Sequence, residues 1–436
     1  MAEIKPFKGI RYNTKKIKNL EDVVTPPYDV IDEQAQEKYY NRHPYNIIRL
    51  ELGKTSPTDT PENNRYTRAK EFYDRWLEED ILIRDKEPSI YFYEQGFSCG
   101  GRQYKRRGFF CAVKLEEYSK NIILPHEETL PKAKEDRLNL MRQCRANFSP
   151  IFGLYIDKEK NEEEIFQKLN TIQPDIEFID ENGQSHKIWA ISDSGITQKF
   201  QSLLKDKQIF IADGHHRYET ALQFSREMNT ENAGYVMMTL VNIYDSGLVI
   251  FPTHRLLKNL KEFETDKFLN SLKKHYETES ILFDELDNEN TLPAAAEKIR
   301  KALAANSDQF HRFGIYLGGK YVHFINIHKS NEQPADPSKS QAWNSLDVTV
   351  LQKMILEKLL GIGEKERKEG NFLKYVRDEV EAILDVQRGI CQAALLVNPT
   401  KIDEVIAVAK SGEKMPQKST YFYPKLITGL VINSLV

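Results

Sequence analysis

This chain has few of the residues that build disulfide frameworks or zinc sites. It has four cysteines among 436 residues, and no two of them have the CxxC spacing. That scarcity argues against a disulfide framework and against a structural zinc site. We interpret the four cysteines as reduced thiols, either in the core or near the surface.

Long apolar runs and a strong net charge are also missing. No stretch approaches the roughly 20 apolar residues of a membrane-spanning helix, and the first residues contain no apolar signal core. The formal net charge of −3 gives no general attraction to a polyanion, and no clear basic patch compensates for it. The sequence therefore predicts a cytoplasmic protein with no membrane partner, and a nucleic-acid partner is not expected.

Motifs of several common enzyme classes do not occur. The sequence has no HExxH, no GxSxG and no DxDx[TV] motif. Gly314, Gly319 and Lys320 have the spacing of a P-loop, but Tyr321 stands where the Mg²⁺-binding Ser or Thr is required. Because Gly318 and Gly319 lie between two short β-like runs, we predict a hairpin turn there.

The strongest positive signal is an apolar strand that ends in a polar turn and continues as a helix. The turn is the run Asp213, Gly214, His215, His216 and Arg217. A helix N-terminus with backbone N–H groups, a positive dipole end and a forked guanidinium suits a phosphate group. A solvated turn is the alternative, but five such residues in succession favour binding of a phosphate or nucleotide. Either histidine could bind phosphate or transfer a proton.

A second group of residues combines carboxylates and cations after a short strand. A carboxylate there could act as a general base or Mg²⁺ ligand, with cations that neutralise phosphate charge. The alternative is a surface loop followed by a salt-bridged helix. The catalytic candidates are Glu127 and Asp136, joined by Asp213 and His216 of the turn. The candidate metal ligands are Glu127 and Asp213, and the candidate phosphate ligands are His126 and Arg137. Glu128 could be a solvated neighbour of these residues.

Two later segments carry further candidate anion ligands. His254 and Arg255 follow an apolar run, where they could contact the same anion or pair with local carboxylates. Lys418, Ser419 and Thr420 form a compact group of donors with the nearby Lys425. This C-terminal group could form one wall of the cleft, or it could be a structural clasp.

The pattern of helical and strand signals indicates the fold class. These signals interleave without the regular alternation of a doubly wound sheet, which predicts an α+β fold. We predict a helix around 69–77, a hairpin of 89–97 with 104–115, and a second hairpin of 235–243 with 247–251. Asp347 is predicted to cap a helix that ends at Gly361.

Composition and length divide the chain into three predicted regions. Region 1–255 is an α+β catalytic domain that binds nucleotide or phosphate. Region 256–340 is a small α/β domain, and a linker is predicted at 331–342, across its end. Region 341–436 is a helical and β region that folds back on the cleft.

The motifs in order resemble those of a large family. The strings PPYDVI at 26–31, HEET at 126–129, DR at 136–137, DGHHRYETAL at 213–222 and MPQKST at 415–420 are similar to the motifs of the bacterial and archaeal family called domain of unknown function 1015. That resemblance covers nearly the whole chain. The DGHHR segment alone also resembles the phosphate-binding turn of the ParB and sulfiredoxin-like superfamily, which includes nucleotide-dependent free serine kinases and CTP-binding partition proteins.

The second resemblance implies a ParB/sulfiredoxin-like mixed α/β core with insertions, followed by a helix-rich C-terminal region. It also implies a nucleotide (ADP, ATP or CTP) at the turn, with Mg²⁺ as the expected cofactor. In the serine kinases a carboxylate from the N-terminal part acts on the substrate hydroxyl, but neither Asp29 nor Glu51 can be aligned to it. Sulfiredoxin-like members carry a cysteine in the turn, and Gly214 and His215 in its place argue against sulfinic acid reduction.

Three functions are compatible with these features. The leading one is a nucleotide-dependent phosphotransferase or phosphohydrolase that acts on a small hydroxylated metabolite, with serine and phosphoserine as the first pair to test. The second is a CTP-type nucleotide switch without turnover, which could act through a homodimer. The third is an inactive scaffold. An enzyme needs Glu127 or Asp136 for turnover, whereas a switch tolerates their loss.

Overall fold

The computed structural model describes residues 1–127, 131–329 and 335–436, except for the side chains at positions 131, 132 and 368. These residues divide into two compact units. Unit 1 comprises Met1–Val249 and Phe422–Val436, and unit 2 comprises Ile250–Tyr421. The three-part division predicted from the sequence places its boundaries at 255 and 340 and stays a prediction.

Strands and helices are mixed along the whole described chain. The β-strands are β1 (Ile4–Lys5), β2 (Ile10–Tyr12), β3 (Leu82–Arg84), β4 (Ile90–Cys99), β5 (Arg102–Lys114), β6 (Ile123–Leu124), β7 (Ala146–Asn147), β8 (Ile151–Tyr155), β9 (Ile176–Ile179), β10 (Ser185–Ile191), β11 (Ile209–Asp213), β12 (Tyr235–Asn242), β13 (Val249–Phe251), β14 (His254–Leu257), β15 (Glu277–Leu282), β16 (Phe310–Tyr316), β17 (Tyr321–His328), β18 (Leu373–Val376), β19 (Ala393–Leu396), β20 (Tyr421–Tyr423) and β21 (Asn433–Ser434). The α-helices are α1 (Glu33–Arg42), α2 (Ile48–Glu51), α3 (Arg65–Glu78), α4 (Pro131–Cys144), α5 (Glu163–Leu169), α6 (Ser194–Lys205), α7 (His215–Met228), α8 (Thr265–His275), α9 (Leu292–Ala304), α10 (Gln341–Asn344), α11 (Asp347–Val350), α12 (Glu364–Glu369), α13 (Glu379–Gln387) and α14 (Ile402–Lys410). None of the helices in the described ranges has the length and apolar character needed to cross a membrane.

A mixed β-sheet is the centre of unit 1. Its strand order is β6-β11-β8-β12-β5-β4-β10-β9, and β1 pairs with β5. The strand β11 runs parallel to β6 and antiparallel to β8, and its last residue, Asp213, lies opposite Phe152 at the start of β8. The chain after Asp213 therefore leaves the sheet beside two other strands.

The two faces of this sheet are covered differently. On one face, Phe166 of α5, Phe200 of α6 and Tyr218 of α7 pack in one buried cluster with Phe92 and Phe109 of the sheet. On the opposite face, the ring of Phe152 meets that of Phe422 at 5.7 Å between centroids. The C-terminal segment of the chain thus covers the sheet next to the end of β11.

Several predictions for unit 1 are confirmed. The structure has the α+β class, the helix around 69–77 as α3, and the first hairpin as β4 and β5. The second predicted hairpin is wrong, because β12 pairs with β5 and β8. Nearly all of β12 is buried, and a continuously apolar strand does not indicate its partner by its own pattern.

Unit 2 has helices on both faces of a second sheet, with strand order β15-β17-β16-β19-β14-β18. The helices α9 and α13 pack on one face, and α8 and α11 pack on the other. The strands β16 and β17 pair antiparallel around Gly318 and Gly319, whose φ values are +100° and +71°. The predicted hairpin turn is therefore confirmed.

The predicted cap at Asp347 is wrong. The residue before the helix is Leu346, and the Asp347 carboxylate lies 2.6 Å from Nδ1 of the buried His311. The chain continues from α11 as a π-helix, Leu351–Glu357, and Gly361 follows with a φ of +67°. The sequence predicted the end of this helix correctly. At its start, the Asp347 carboxylate is hydrogen-bonded to His311 of β16 and does not cap the helix.

Candidate functional site

The predicted strand, turn and helix are present, and Gly214 is the joint between them. Gly214 precedes α7 with a φ of +93°, in the left-handed region that favours glycine. A Cβ atom there would lie 3.0 to 3.1 Å from the guanidinium of Arg217. In the part of the chain that the structure describes, Gly214 gives this helix no side-chain cap. The turn therefore places a guanidinium beside the backbone at the start of a helix of 14 residues.

Asp213 lies between two cations at this turn. One carboxylate oxygen contacts Nζ of Lys425, and the other accepts from Nη2 of Arg217 at 2.7 Å. Burial opposes ionisation of this carboxyl, but the charges of Lys425 and Arg217 outweigh burial and hold its pKa below the usual range. Asp213 is thus an ionised carboxylate that orients both cations.

Arg217 is buried and has one donor that faces the turn. Its Nη1 donates to the carbonyl of Pro150, and only 9% of the residue is exposed. Among residues 1–127, 131–329 and 335–436, no hydrogen-bond acceptor pairs with Nε, which lies beside Gly214. A phosphate oxygen at the turn would supply that acceptor.

His126 and His215 form a buried pair next to the turn. The backbone N–H of His126 donates to Nε2 of His215 at 3.2 Å, and Nδ1 of His126 donates to the carbonyl of Ile211 at 2.5 Å. Burial lowers the pKa of His126 to about 4. Nδ1 of His126 thus supports the backbone of β11, and the phosphate-binding role of His126 stays a prediction.

Acid should weaken unit 1 through His126. Between pH 6.5 and 4 this histidine is protonated in the unfolded chain and neutral in the folded chain. The free energy of unfolding therefore decreases as the pH is lowered, by up to about 3 kcal/mol. Urea unfolding at several pH values should show that the free energy of unfolding depends less steeply on pH for His126→Gln than for the natural chain. The exposed His275 gives the control, because His275→Gln should keep the natural slope. The same pH dependence of the unfolding free energy in the natural chain and in His126→Gln would contradict the lowered pKa of His126.

His216 has a more open, charged environment. Burial lowers its pKa, while the carboxylates of Glu127, Glu219 and Asp29 act in the opposite direction. Glu219 forms an ion pair with Lys134 at 2.9 Å. A half-buried imidazole beside carboxylates can take a proton and return it. Of the predicted catalytic residues, His216 and Glu127 are thus brought together at the turn.

Asp136 is enclosed by hydrogen-bond donors. Its carboxylate contacts Arg65, accepts from the hydroxyl of Tyr66 at 2.7 Å, and accepts from Nε of Arg137 at 2.8 Å. Arg137 also donates to the carbonyl of Glu51 at 2.7 Å. This arrangement favours a structural role for Asp136, and its catalytic role stays a prediction.

The variant Asp136→Asn should therefore lose stability. It removes the carboxylate that Arg65 and Arg137 share, and among the described residues the buried Arg137 keeps only the carboxylate of Glu51, which lies 3.4 Å away. The loss in urea unfolding should be about 2 to 4 kcal/mol. Glu135 is the exposed neighbour, and Glu135→Gln should unfold like the natural chain. Unchanged stability of Asp136→Asn would contradict the structural role.

A small cavity with a mixed polar and apolar lining adjoins the turn. It measures about 30 Å³, and its lining includes Glu51, Arg137, Ser149 and Arg217. The Ser149 hydroxyl donates to Glu51 at 2.8 Å, and Nη1 of Arg137 lies 3.4 Å from the same carboxylate. Such a volume holds one or two water molecules. Arg137 and Arg217 thus both line this cavity, and their phosphate-binding roles stay a prediction.

The predicted ligands His254 and Arg255 belong to unit 2, where they open a strand and do not end one. Nδ1 of His254 accepts from the N–H of Val397 at 3.2 Å, and Nε2 lies 3.8 Å from the carboxylate of Glu379. Arg255 donates to the carbonyls of Thr253 and Lys418. Each contact lies within unit 2, and the anion-binding role of both residues stays a prediction.

Lys418, Ser419 and Thr420 also belong to unit 2. The Ser419 hydroxyl donates to the carbonyl of Pro416 at 2.5 Å, and the carbonyl of Ser419 accepts from Thr400 at 2.8 Å. The φ of Lys418 is +59°, and its carbonyl accepts from Arg255. These bonds favour the structural clasp, and a phosphate role for the three residues stays a prediction.

The described side chains do not form a metal site of their own. In residues 1–127, 131–329 and 335–436, no three His, Cys, Asp or Glu side chains come together as ligands. Both oxygens of Asp213 are taken by cations. The metal roles of Glu127 and Asp213 thus have no support from this geometry, and Glu128 lies outside the described residues.

Arg106 was missed by the sequence reasoning. It is 1% exposed on β5, and Asp213 is among the charges that act on it. Its neighbours Lys105 and Arg107 make the run look like a solvated patch. Strand alternation, which places Arg106 on the face opposite to its two neighbours, was the available signal.

Comparison with known proteins gives one family and a set of remote structures. A family model described as "Protein of unknown function (DUF1015)" matches residues 4–349. A free serine kinase variant in complex with AMP is 14% identical, with a TM-score of 0.36 and coverage of 74% of this chain and 92% of that one. SbnI with a C-terminal truncation, from Staphylococcus aureus, is 11% identical, with a TM-score of 0.35 and coverage of 74% and 87%. No curated protein matches. At these TM-scores the structural similarity carries no functional argument.

Proposed function

We propose that this chain, which belongs to the DUF1015 family, is a nucleotide-dependent phosphotransferase or phosphohydrolase that acts on a small hydroxylated metabolite. The observation that carries the proposal is the turn at Gly214, where the Arg217 guanidinium is held against a glycine at the N-terminus of α7. Serine and phosphoserine are the first acceptor and product to test, and the donor is ADP, ATP or CTP.

Phosphate binding follows from the chemistry of this turn. Backbone N–H groups at a helix N-terminus and the positive end of the helix dipole favour an anion. Arg217 adds a fixed cation, and Asp213 sets its orientation through Nη2. Asp213 is therefore a positioning residue in this proposal, together with its second partner, Lys425.

The proposed reaction uses few groups. The hydroxyl oxygen of the metabolite attacks the terminal phosphorus of the nucleotide, and the bond from that phosphorus to the bridging oxygen breaks. The hydroxyl proton passes to His216, which Glu127 supports, and the shortened nucleotide leaves with the electron pair. In the hydrolytic form, water attacks the phosphorus of the phosphorylated metabolite, such as phosphoserine, and the bond from that phosphorus to the metabolite oxygen breaks. The metabolite oxygen leaves with the electron pair and takes up a proton. Arg217 balances the charge on the transferred group.

Mg²⁺ remains an expected cofactor of a nucleotide reaction, since it is usually held through substrate phosphates and one or two carboxylates. Because the described side chains form no cluster for it, no step above is assigned to the metal. The residues of this chain supply binding, orientation and proton transfer.

A nucleotide switch is the second candidate, and one observation favours it. Two of the predicted catalytic carboxylates, Asp136 and Asp213, are held by cations as structural partners. A protein that binds a nucleotide without turnover needs the turn and no free base. The two candidates differ in what they require of His216 and Glu127.

Phosphorus NMR of the purified protein separates the two. One set of samples holds Mg²⁺ and serine with ADP, ATP or CTP, and another holds phosphoserine with water or AMP. A new phosphate ester or free phosphate that is lost in His216→Gln would support the enzyme. Nucleotide signals that change without turnover would support the switch. Spectra unaffected by the protein in every sample would contradict both.

A further inference from the structure

Arg106 lies inside unit 1 on the sheet face that carries Phe152. It is 1% exposed and pairs in register with Gln95 of β4. Its guanidinium lies 4.8 Å from the centroid of the Phe152 ring. Because β12 separates β5 from β8, the side chain reaches across one strand towards the end of β11, where Asp213 is found.

Arg106 has more donors than acceptors around it. Its Nη2 donates to Oε1 of Gln95 at 2.5 Å. The amide of Gln95 is fixed in turn, since Nε2 donates to Gln184 at 2.8 Å and to the carbonyl of Lys425 at 3.4 Å. In the part of the chain that the structure describes, Nε and Nη1 of Arg106 have no hydrogen-bond partner. A buried guanidinium with two unpaired nitrogens is costly unless something accepts from them.

A second buried group on the same face also lacks a partner. Thr239 of β12 is fully buried, and within the described ranges its hydroxyl makes no hydrogen bond. It pairs in register with Phe152 on one side and Phe110 on the other. Phe110 and Arg106 are four residues apart on one strand, so Arg106 and Thr239 face the same side of the sheet.

Positive charge is in excess at this place. Asp213 is already shared by Lys425 and Arg217. The charges of Asp245 and Asp213 act to raise the pKa of Arg106, against the larger effect of burial. Within residues 1–127, 131–329 and 335–436, however, neither carboxylate forms an ion pair with it. Burial lowers the pKa of Arg106 to about 10 and raises the pKa of Asp245 to about 6. A water molecule would accept a hydrogen bond from the guanidinium without neutralising its charge. An anion would accept the hydrogen bonds and neutralise the charge as well.

We propose that Arg106 and Thr239 form an oxyanion-binding subsite, which takes a carboxylate or phosphate group of a ligand on the Phe152 face of the sheet. The guanidinium donates from Nε and Nη1, and the threonine hydroxyl donates to a further oxygen. The subsite rests on the proposed function only for the choice of ligands to test. The group it binds belongs either to the nucleotide or to the metabolite.

Thermal unfolding and calorimetry of four proteins test this subsite. They are the natural chain, Arg106→Met, Thr239→Val and the control Arg102→Met, which removes the same charge from an exposed position on the same strand. The probes are inorganic phosphate, ADP and L-serine. Without probes, Arg106→Met should unfold at a higher temperature than the natural chain, because it removes an uncompensated buried charge.

With probes, the same variant should lose binding. The Kd for the probe that occupies the subsite should rise about tenfold or more, the effect of losing a charge-assisted hydrogen bond, and Arg102→Met should bind as the natural chain does. A loss confined to ADP identifies a nucleotide phosphate, and a loss confined to L-serine identifies a carboxylate. Equal binding by Arg106→Met and the natural chain, or no binding by either, would overturn the subsite.

These results are independent of turnover. If the phosphorus NMR shows no reaction while phosphate binding still depends on Arg106, the subsite stands and the proposed enzyme fails. If turnover occurs and Arg106→Met binds all probes normally with a lower unfolding temperature, the residue is structural and the subsite fails.

Discussion

The variant Gly214→Ala is expected to lose nucleotide binding and to unfold more easily. The φ of +93° costs an alanine about 1 to 2 kcal/mol. Its Cβ would also come within 3.0 to 3.1 Å of the Arg217 guanidinium, so that this group must move. Displacement of Arg217 removes the cation from the turn and disturbs its bond to Asp213. Calorimetry with ADP should show affinity reduced about tenfold or more.

Gly234 provides the matched control for this substitution. A Cβ added there would have no atom within 4 Å, and its φ is not left-handed. Gly234→Ala should keep the natural affinity for ADP and the natural stability, or gain a little from lower chain entropy when unfolded. An equal affinity of Gly214→Ala and Gly234→Ala would contradict a nucleotide at this turn.

The variant Arg217→Ala is expected to have the second large effect, on binding and on folding together. Loss of a charge-assisted contact should weaken nucleotide binding by about 1.5 to 3 kcal/mol. Stability should also fall, because Asp213 keeps only Lys425 as a partner and the carbonyl of Pro150 loses its donor.

Arg217→Lys separates these two effects. It retains a positive charge for Asp213 but not the fork of the guanidinium, and Arg and Lys differ most at such sites. We expect stability closer to that of the natural chain, with ADP affinity still reduced, in urea unfolding and calorimetry. Natural affinity in both variants would show that Arg217 does not contact the nucleotide.

Local patterns in the sequence predicted the turn and several elements correctly. The change from an apolar strand to Gly214 and an amphipathic helix indicated β11 and α7, since each step has its own residue signal. The family resemblance is confirmed, because it rested on several separated motifs. The first hairpin was indicated by Gly100 and Gly101, which have φ values of +54° and +73°.

Long-range partners explain what the sequence could not predict. Asp136 is enclosed by Arg65, which is far from it in the chain. Asp347 is held by His311 and not by its own helix. The partners of β12 depend on sheet order, which its buried pattern does not contain. Arg106 looked solvated in a charged run and is buried because β5 lies in the middle of the sheet.

The central claim is that a nucleotide phosphate binds at the N-terminus of α7. The chain has ten histidines, so ¹⁵N-histidine labelling gives a simple spectrum of backbone amides, in which His215 and His216 are assigned by their single Gln variants. Titration with ADP should shift the amides of both residues, while those of His311 and His328 in unit 2 stay in place. Unchanged signals of His215 and His216 at ADP concentrations that shift other histidines would contradict the claim.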